Sequence, residues 1–96
     1  GLGVLIIKND YGRTTGIITD GDLKRISNKY TNFKNLKIKK IMKRKPITVD
    51  KNILAAEALS IMNSNKITSL CVHHNNKKNT TIGIIHIHNI LDANIS

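Results

Sequence analysis

A hydroxyl and a carboxylate stand three residues apart where an apolar run meets the start of a predicted helix. They belong to Thr19 and Asp22, and Gly21 lies between them. A helix N-terminus offers free backbone N–H groups and a dipole that favours an anion, and Thr19 can donate its hydroxyl to a phosphate oxygen. Asp22 can accept from both hydroxyls of a ribose, while Gly21 lets the backbone approach a ligand closely. These residues predict a ligand site, although a plain helix cap by Asp20 or Asp22 explains them equally well.

The same turn occurs a second time in the chain with different side chains. The segment Gly16-Ile-Ile-Thr-Asp-Gly-Asp-Leu23 aligns with Gly83-Ile-Ile-His-Ile-His-Asn-Ile90, so a histidine and an asparagine replace the threonine and the second aspartate. Leu5 and Leu70 match in the apolar runs that precede these segments. A repeat of this size predicts two copies of one structural unit. We expect the two turns to face each other across a shared groove.

A second candidate site surrounds the second copy of the turn. His86 can meet a phosphate or a sugar carboxylate, more strongly when it is protonated, and Asn89 can bond a ribose hydroxyl as an uncharged acceptor. The predicted wall of this site adds residues from the neighbouring elements, namely Ile47, Thr48, Thr68, Ser69 and His88. The alternative is a degenerate site that binds no ligand.

No pattern typical of a metal centre or a catalytic site is present in the sequence. His86 and His88 can share one face of a strand, but structural zinc usually needs four ligands and the single cysteine, Cys71, has no CxxC partner. The only glutamate, Glu57, has no obvious carboxylate partner, and no serine lies in a nucleophile-elbow pattern. Cys71 lies in an apolar run and is expected to be a reduced, buried residue. We therefore predict no catalytic residue, no metal and no required cofactor.

The chain is strongly basic, with a formal net charge of +10 at pH 7. Many of the cations form a dense group: Lys34, Lys37, Lys39, Lys40, Lys43, Arg44 and Lys45. Such a group can attract nucleic acid or an acidic membrane surface, but only 3% of the residues are aromatic and no helix-turn-helix or zinc-finger spacing is present. A genome that favours AT-rich codons, which encode lysine, and a solvent-exposed connector are sufficient to explain the positive charge. We expect no specific nucleic-acid partner and no membrane partner, since no apolar run approaches ~18 residues.

The hydrophobic pattern predicts a small α/β protein with two related halves. Residues 1–30 predict two strands in a hairpin followed by a helix, a β-β-α unit. Residues 31–45 form a basic connector that packs one short helical turn against the body. Residues 46–96 predict a complete β-α-β-β-α unit. Because the chain has no initiator methionine and opens on a strand, we expect it to be a fragment of a longer protein.

One pattern in the chain resembles a family signature. It is an apolar strand that ends in Gly-h-h-Thr/Ser-x-x-Asp-h, where h is an apolar residue. The first copy matches it in full at Gly16, Thr19, Asp22 and Leu23, whereas the second copy matches at Gly83 and Ile90 and departs at His86 and Asn89. The chain resembles the CBS domain (cystathionine β-synthase type), which occurs in tandem as a Bateman module. The resemblance implies a CBS-domain pair of two pseudo-repeated β-α-β-β-α units, the first truncated to β-β-α. It also implies that the Asp22 pocket lacks the first strand of its own unit.

Longer stretches resemble a narrower family in which such a pair occurs. They are Gly16–Arg25, Ile53–Leu59, Ile67–Ser69 and the His86-x-His88 strand exit. These stretches are similar to bacterial arabinose 5-phosphate isomerases, in which a catalytic sugar-isomerase (SIS) domain precedes a CBS pair and feeds Kdo synthesis for lipopolysaccharide. Nothing in the 96 residues resembles the SIS domain.

The narrower resemblance implies a cytoplasmic, non-catalytic sensor that is covalently linked to an SIS domain in its parent protein. The expected ligand is an anionic nucleotide or sugar-nucleotide bound between the repeats, with CMP-Kdo (the activated sugar of the pathway) and the adenine nucleotides as candidate effectors. CBS pairs commonly pack face to face, so the resemblance also implies a homo-oligomer. The alternative is a dimerisation or assembly module with vestigial ligand clefts.

Overall fold

The structure is a computed structural model that describes residues 3–29 and 35–93, with Asp92 and Ala93 described by their backbone only. The chain forms two compact units, Gly1–Pro46 (unit 1) and Ile47–Ser96 (unit 2). Each unit contains its own three-stranded sheet and two helices within the described residues. This arrangement confirms the predicted α/β class with two related halves. Lys34 of the basic group lies outside the described residues.

Unit 1 is built around a β-hairpin. Strands β1 (Val4–Lys8) and β2 (Thr14–Thr19) pair antiparallel, and helix α1 (Asp20–Lys29) follows β2 without a break. A short helix α2 (Ile38–Ile41) then leads into a two-residue strand β3 (Lys43–Arg44), which pairs antiparallel with β2. The strand order in this sheet is therefore β1-β2-β3.

Unit 2 contains the complete set of elements that the sequence predicts. Its strands are β4 (Thr48–Asp50), β5 (Ser69–His73) and β6 (Thr81–His86). Helix α3 (Ala55–Asn65) connects β4 to β5, which run parallel, and helix α4 (Ile87–Ala93) follows β6. The β5–β6 pair is an antiparallel hairpin, so the sheet order is β4-β5-β6.

The core of unit 2 lies on one face of its sheet. Leu70 and Val72 are two residues apart on β5, and Val49 pairs with Val72, so the three side chains share that face. Ala58 and Met62, four residues apart on α3, are fully buried against them. An apolar stripe on one helix and an alternating strand pattern thus give one continuous cluster.

The two hairpins have the same register, which confirms the duplication. Leu5 pairs with Ile18 in unit 1, and Leu70 pairs with Ile85 in unit 2. Each hairpin also has an irregularity at the equivalent place, after Ile7 in β1 and after Val72 in β5. The residue alignment made from sequence therefore corresponds to an alignment of backbone hydrogen bonds.

The hairpins also join their helices in the same way. The Asp20 N–H donates to the Gly3 carbonyl at 3.1 Å, and the Ile87 N–H donates to the Thr68 carbonyl at 2.8 Å. In both units the first helical residue is thus anchored to the residue before the opening strand of the hairpin. This anchor fixes where the turn presents its side chains.

Unit 1 differs from unit 2 in what covers the hairpin. Leu70 is fully buried, whereas its counterpart Leu5 is 54% exposed. In unit 2, β4 and α3 lie against β5 and bury this position, and the described part of unit 1 has no equivalent β-α segment. The predicted truncation to β-β-α therefore has a direct consequence for packing.

Candidate functional site

The turn at Thr19 is a reciprocal helix cap. The Thr19 N–H donates to Asp22 Oδ2 at 2.9 Å, and the Thr19 hydroxyl donates to the same oxygen at 3.0 Å. In return, the Asp22 N–H lies 3.2 Å from Thr19 Oγ1. Because α1 begins at Asp20, Thr19 is the N-cap residue and Asp22 is the third helical residue, the arrangement of a capping box. Asp20, considered as a cap from sequence, instead accepts from the Gly3 N–H at 2.8 Å.

The second oxygen of Asp22 is held by two cations. Arg25, one turn further along α1, contacts Oδ1, and the Lys43 ammonium lies 3.4 Å from the same atom. Asp22 is only 3% exposed, and burial alone would raise the pKa of its carboxyl. The two hydrogen bonds from Thr19 and the charges of Lys43 and Arg25 outweigh burial, so the pKa lies below its ordinary value of 3.8. The carboxylate is therefore ionised at neutral pH.

A cavity of about 380 Å³ opens beside this carboxylate within unit 1. Four cationic side chains line it, namely Arg25, Lys29, Lys40 and Lys43, and most of the remaining lining is apolar. Four cations against one carboxylate leave the cavity with an excess of positive charge. Such a cavity suits an anionic group such as a phosphate, because cationic donors form short, strong hydrogen bonds to its oxygens.

Gly21 is exposed and has room around it. A Cβ at this position would meet its nearest neighbours, Arg25 Nη1 and Thr19 Oγ1, at 3.6 and 3.7 Å, which is ordinary van der Waals contact. The protein itself therefore does not require glycine here. The prediction that Gly21 lets a ligand approach the backbone stays a prediction.

The second turn keeps half of this cap. The His86 N–H donates to Asn89 Oδ1 at 3.0 Å, as the Thr19 N–H donates to Asp22. The His88 N–H donates to His86 Nδ1 at 3.1 Å, which places the proton of the neutral His86 ring on Nε2. The His86 and His88 rings stack with centroids 5.0 Å apart. Asn89 and His88 are exposed and lie in the first turn of α4, so His88 does not share a strand face with His86.

Two hydroxyls near this turn are buried without a partner. Ser69 pairs with His86 across the hairpin, and Thr48 pairs with Cys71, two residues along β5. Alternation along β5 puts Thr48, Ser69 and His86 on one face of the sheet, opposite the face that carries the core. Ser69 is 8% exposed, and neither Ser69 Oγ nor Thr48 Oγ1 has a hydrogen-bond partner. Buried polar groups are normally paired, so these two atoms are candidates for contact with a ligand.

The other predicted wall residues contribute mainly through their backbone. The Ile47 side chain packs against the core of unit 2, and its carbonyl accepts from the Cys71 N–H at 3.1 Å. Thr68 is exposed, and its carbonyl anchors α4 as described above. Within unit 2, the structure pairs Ser69 with His86 and hydrogen-bonds His86 to Asn89, while Ile47 serves packing.

Sequence reasoning missed the cations that contact Asp22. Arg25 could have been found, because residues three apart on a helix are neighbours and an acid followed by a base at this spacing forms an ion pair. Lys43 gave no local signal, since it reaches Asp22 from β3 at a separation of 21 residues in sequence. The pairing of β3 with β2 creates this contact.

Within residues 3–29 and 35–93, no group of three or more His, Cys, Asp or Glu side chains could hold a metal ion. Cys71 is fully buried, and burial raises the pKa of its thiol despite an opposing hydrogen bond with Thr81. No helix in these residues is long and apolar enough to cross a membrane.

Comparison with known proteins places these features in a family context. A family model described as "CBS domain" matches residues 38–96. The arabinose 5-phosphate isomerase KdsD of Yersinia pestis is 39% identical over 94 residues, which are 98% of this chain and 28% of that protein. The KdsD protein of Pseudomonas aeruginosa is 36% identical over 95 residues, or 99% of this chain and 28% of that protein. The chain thus spans little more than a quarter of the length of these relatives.

Solved structures share the fold over nearly the whole chain. A CBS-domain containing protein from Agrobacterium tumefaciens superposes with a TM-score of 0.83 at 21% identity, covering 97% of this chain and 72% of that one. A CBS domain pair in complex with 5′-methylthioadenosine and S-adenosyl-L-methionine gives 0.78 at 23% identity, with 94% and 68% covered. CBSX2 in complex with AMP gives 0.72 at 20% identity, with 94% and 69% covered. These similarities establish the architecture of the chain.

Proposed function

The chain belongs to the CBS-domain family, and from that premise we propose that it is the ligand-sensing part of an arabinose 5-phosphate isomerase. The support is an identity of 39% to such an enzyme over almost the entire chain, although the chain spans only 28% of its length. In this proposal the parent protein is cytoplasmic and carries its isomerase chemistry on a linked SIS domain. Residues 1–30, 31–45 and 46–96 correspond to a partial first CBS unit, a connector and a complete second unit.

The proposed ligand is an anionic nucleotide or sugar-nucleotide. The observation that carries this proposal is the pair of buried, unpartnered hydroxyls of Thr48 and Ser69 on the same sheet face as His86. A ligand with several oxygens would satisfy both hydroxyls. It would also take hydrogen bonds from the His86 Nε2–H and the Asn89 side-chain amide. Each newly satisfied polar group removes a desolvation cost of about 1–3 kcal/mol, which favours a polyhydroxylated or phosphorylated ligand.

Unit 1 supplies a different kind of contact. Asp22 already accepts from Thr19 and pairs with Arg25 and Lys43, so a ribose would have to displace one of these partners. The cations that line the neighbouring cavity are the better candidates for binding a phosphate. Adenine nucleotides are in keeping with the ligands of solved CBS proteins, which include AMP and S-adenosyl-L-methionine. CMP-Kdo is the candidate from the logic of the pathway.

Thermal unfolding with CMP-Kdo, AMP, ATP and S-adenosyl-L-methionine tests this proposal. A ligand present at 100 times its dissociation constant adds about 2.7 kcal/mol to the stability of the folded chain, enough for a shift of several degrees. If none of the four ligands shifts the transition at millimolar concentration, the sensor proposal fails. The predicted location of the ligand between the repeats stays a prediction that a structure of the complex would test.

A serine variant makes the test specific to the proposed site. Ser69→Ala removes a buried hydroxyl that has no partner, so we expect the ligand-free variant to be as stable as the parent chain or slightly more stable. The same variant should lose most of the ligand-induced shift. Ser60→Ala, on the exposed side of α3, is the matched control and should retain the full shift. Equal shifts for both variants would remove Ser69 from the site.

The second candidate function is assembly without a ligand. It is favoured by the exposure of large apolar side chains on both units, including Leu5 at 54% and Ile82 at 57%. A homo-oligomer that no nucleotide stabilises or rearranges would support this alternative. Light scattering after size exclusion, with and without each ligand, distinguishes the two. In the sensor proposal, coupling is reciprocal, so a ligand must bind one arrangement of the protein better than another.

A further inference from the structure

The cationic cavity of unit 1 draws its charge from two separate segments of the chain. Arg25 and Lys29 are four residues apart on α1, so they lie one turn apart on the same side of that helix. Lys40 comes from α2 and Lys43 from β3, and both belong to the connector. The cavity therefore lies where the connector meets α1, and each segment contributes two cations to its lining.

The charges that line this cavity do not balance. Four cations and one carboxylate, that of Asp22, leave an excess of three positive charges. Asp22 is only 3% exposed, and its two oxygens are already in contact with Thr19, Arg25 and Lys43. The lining contains no other anionic side chain. Like charges held close together beside apolar walls repel one another, and an anion from outside the chain would relieve that repulsion.

We propose that this cavity binds a linked di- or triphosphate in preference to a single phosphate. One phosphate group carries a charge of about −1.5 to −2 at pH 7, so it would leave the cavity positive. Two or three linked phosphates would neutralise the excess. The volume agrees with this assignment, because about 380 Å³ lies within the range of about 300–1,000 Å³ for small-molecule pockets. A lone phosphate would fill only a small part of it.

The cations that now contact Asp22 are able to turn towards such a ligand. The side chains of Arg25 and Lys43 are 63% and 56% exposed, so neither would have to leave a packed position. Arg25 can bind phosphate oxygens through two parallel N–H bonds, whereas the lysines act as point charges. Because the contacts come from α1 and from the connector, a bound polyphosphate would link these two segments.

The inference rests on the proposed function for the source of the polyphosphate, which is a nucleotide. It also separates the candidate effectors, because ATP carries a triphosphate whereas AMP and CMP-Kdo each carry a single phosphate. We therefore expect ATP to bind this cavity and AMP and CMP-Kdo to bind it weakly. The alternative is a solvated basic surface, which would attract every multivalent anion without a preferred location.

An NMR titration of the 96-residue chain tests the inference. The probes are inorganic pyrophosphate, inorganic phosphate, ATP and AMP, all at the same ionic strength because screening weakens every one of these contacts. We expect pyrophosphate and ATP to shift the amides of Arg25, Lys29, Lys40 and Lys43. Each should bind at least about tenfold more tightly than the probe that has a single phosphate.

Two neighbouring lysines of α2 provide a variant and its matched control. Lys40 lines the cavity and Lys39 does not, while both are exposed. Lys40→Gln should weaken the binding of pyrophosphate and ATP by about tenfold, because it removes one charge-assisted contact. Lys39→Gln makes the same change in net charge and should weaken binding by less than about twofold. Both variants should unfold like the parent chain.

Equal weakening by the two variants would assign the binding to the basic surface as a whole and would overturn the inference. Equal affinity for ATP and AMP, or amide shifts that avoid the cavity, would overturn it as well. The sensor proposal fails separately. Nucleotides that shift the thermal transition without moving these amides would refute the cavity site alone. Pyrophosphate that moves these amides, when no nucleotide shifts the transition, would support the cavity site and refute the sensor proposal.

Discussion

Exchanging the aspartate of the first turn and the asparagine of the second turn isolates the contribution of the Asp22 carboxylate to stability. In Asp22→Asn the amide oxygen can still accept from the Thr19 N–H, but the charge is lost and an NH2 group can face the cations of Arg25 and Lys43. The reverse exchange, Asn89→Asp, gives the second turn the side chain of the first. Because the two hairpins share their register, each variant is the control for the other.

The expected magnitudes follow from the contacts. Hydrogen bonds to a charged group contribute about 1.5–3 kcal/mol and a helix cap about 1 kcal/mol, so Asp22→Asn should lower the free energy of unfolding by roughly 2 kcal/mol at pH 7. Arg25 is well exposed, and its ion pair adds little to this figure. Asn89→Asp places a negative charge in the first turn of an exposed helix start. It should be neutral or stabilising by up to about 1 kcal/mol.

The pH dependence checks the cause of the effect. The pKa of Asp22 in the folded chain is lower than its ordinary value of 3.8, so ionisation stabilises the fold above that pH. This stabilisation is lost as the pH falls through the folded pKa. The gap between the parent chain and Asp22→Asn should therefore shrink below pH 3.8 and close at lower pH.

Urea denaturation followed by circular dichroism measures both quantities, since the chain has no tryptophan for fluorescence. A carbon-detected NMR titration of the Asp22 carboxyl measures its pKa directly. Two results would refute the reasoning: an Asp22→Asn variant within about 0.5 kcal/mol of the parent at pH 7, or a gap that does not change below pH 3.8.

Three further predictions compare equivalent positions in the two units or test the burial of a side chain. Gly16→Ala should lower the unfolding free energy by about 1–3 kcal/mol because its Cβ would lie 2.5 Å from a methionine sulfur, whereas Gly83→Ala, in open space, should be neutral in urea denaturation. Leu70→Ala should lower the free energy of unfolding by about 2–5 kcal/mol, and the equivalent Leu5→Ala by less than about 1 kcal/mol. Equal losses for the two variants would contradict the difference in burial between these leucines. The Cys71 thiol, buried and with a raised pKa, should react with a thiol reagent only after unfolding, so rapid reaction of the native chain at pH 8 would count against its burial.

The sequence predicted the parts of the fold that depend on local pattern. The repeat of Gly-Ile-Ile placed the two hairpins in the same register, and the structure confirms it in the pairs Leu5–Ile18 and Leu70–Ile85. Strand alternation and helical spacing over five or more residues were sufficient for this. Element ends were less well determined, since α3 begins at Ala55 after a cap residue, Leu54, that makes no side-chain hydrogen bond.

The parts that the sequence did not predict depend on contacts between distant residues. Strand β3 is only two residues long and lies in a basic stretch, so it has no periodicity to detect. Its consequences are nevertheless large, because it brings Lys43 to Asp22 and Met42 to Gly16. The cationic cavity beside Asp22 was therefore invisible in the sequence, although two of the four cations that line it, Lys40 and Lys43, belong to the basic group recognised there.

The comparison of the two turns changes which residues best support a ligand. A hydroxyl or imidazole followed three residues later by Asp or Asn is sufficient to cap a helix, and both turns use these side chains in that way. Capping alone can therefore maintain the motif, whether or not anything binds. Ser69 and Thr48 have no such structural use, since their hydroxyls are buried and unpaired on the face opposite the core. An unpaired buried hydroxyl costs stability that an alanine or valine would not, and this cost is the physical argument for the proposal that a ligand contacts Thr48 and Ser69.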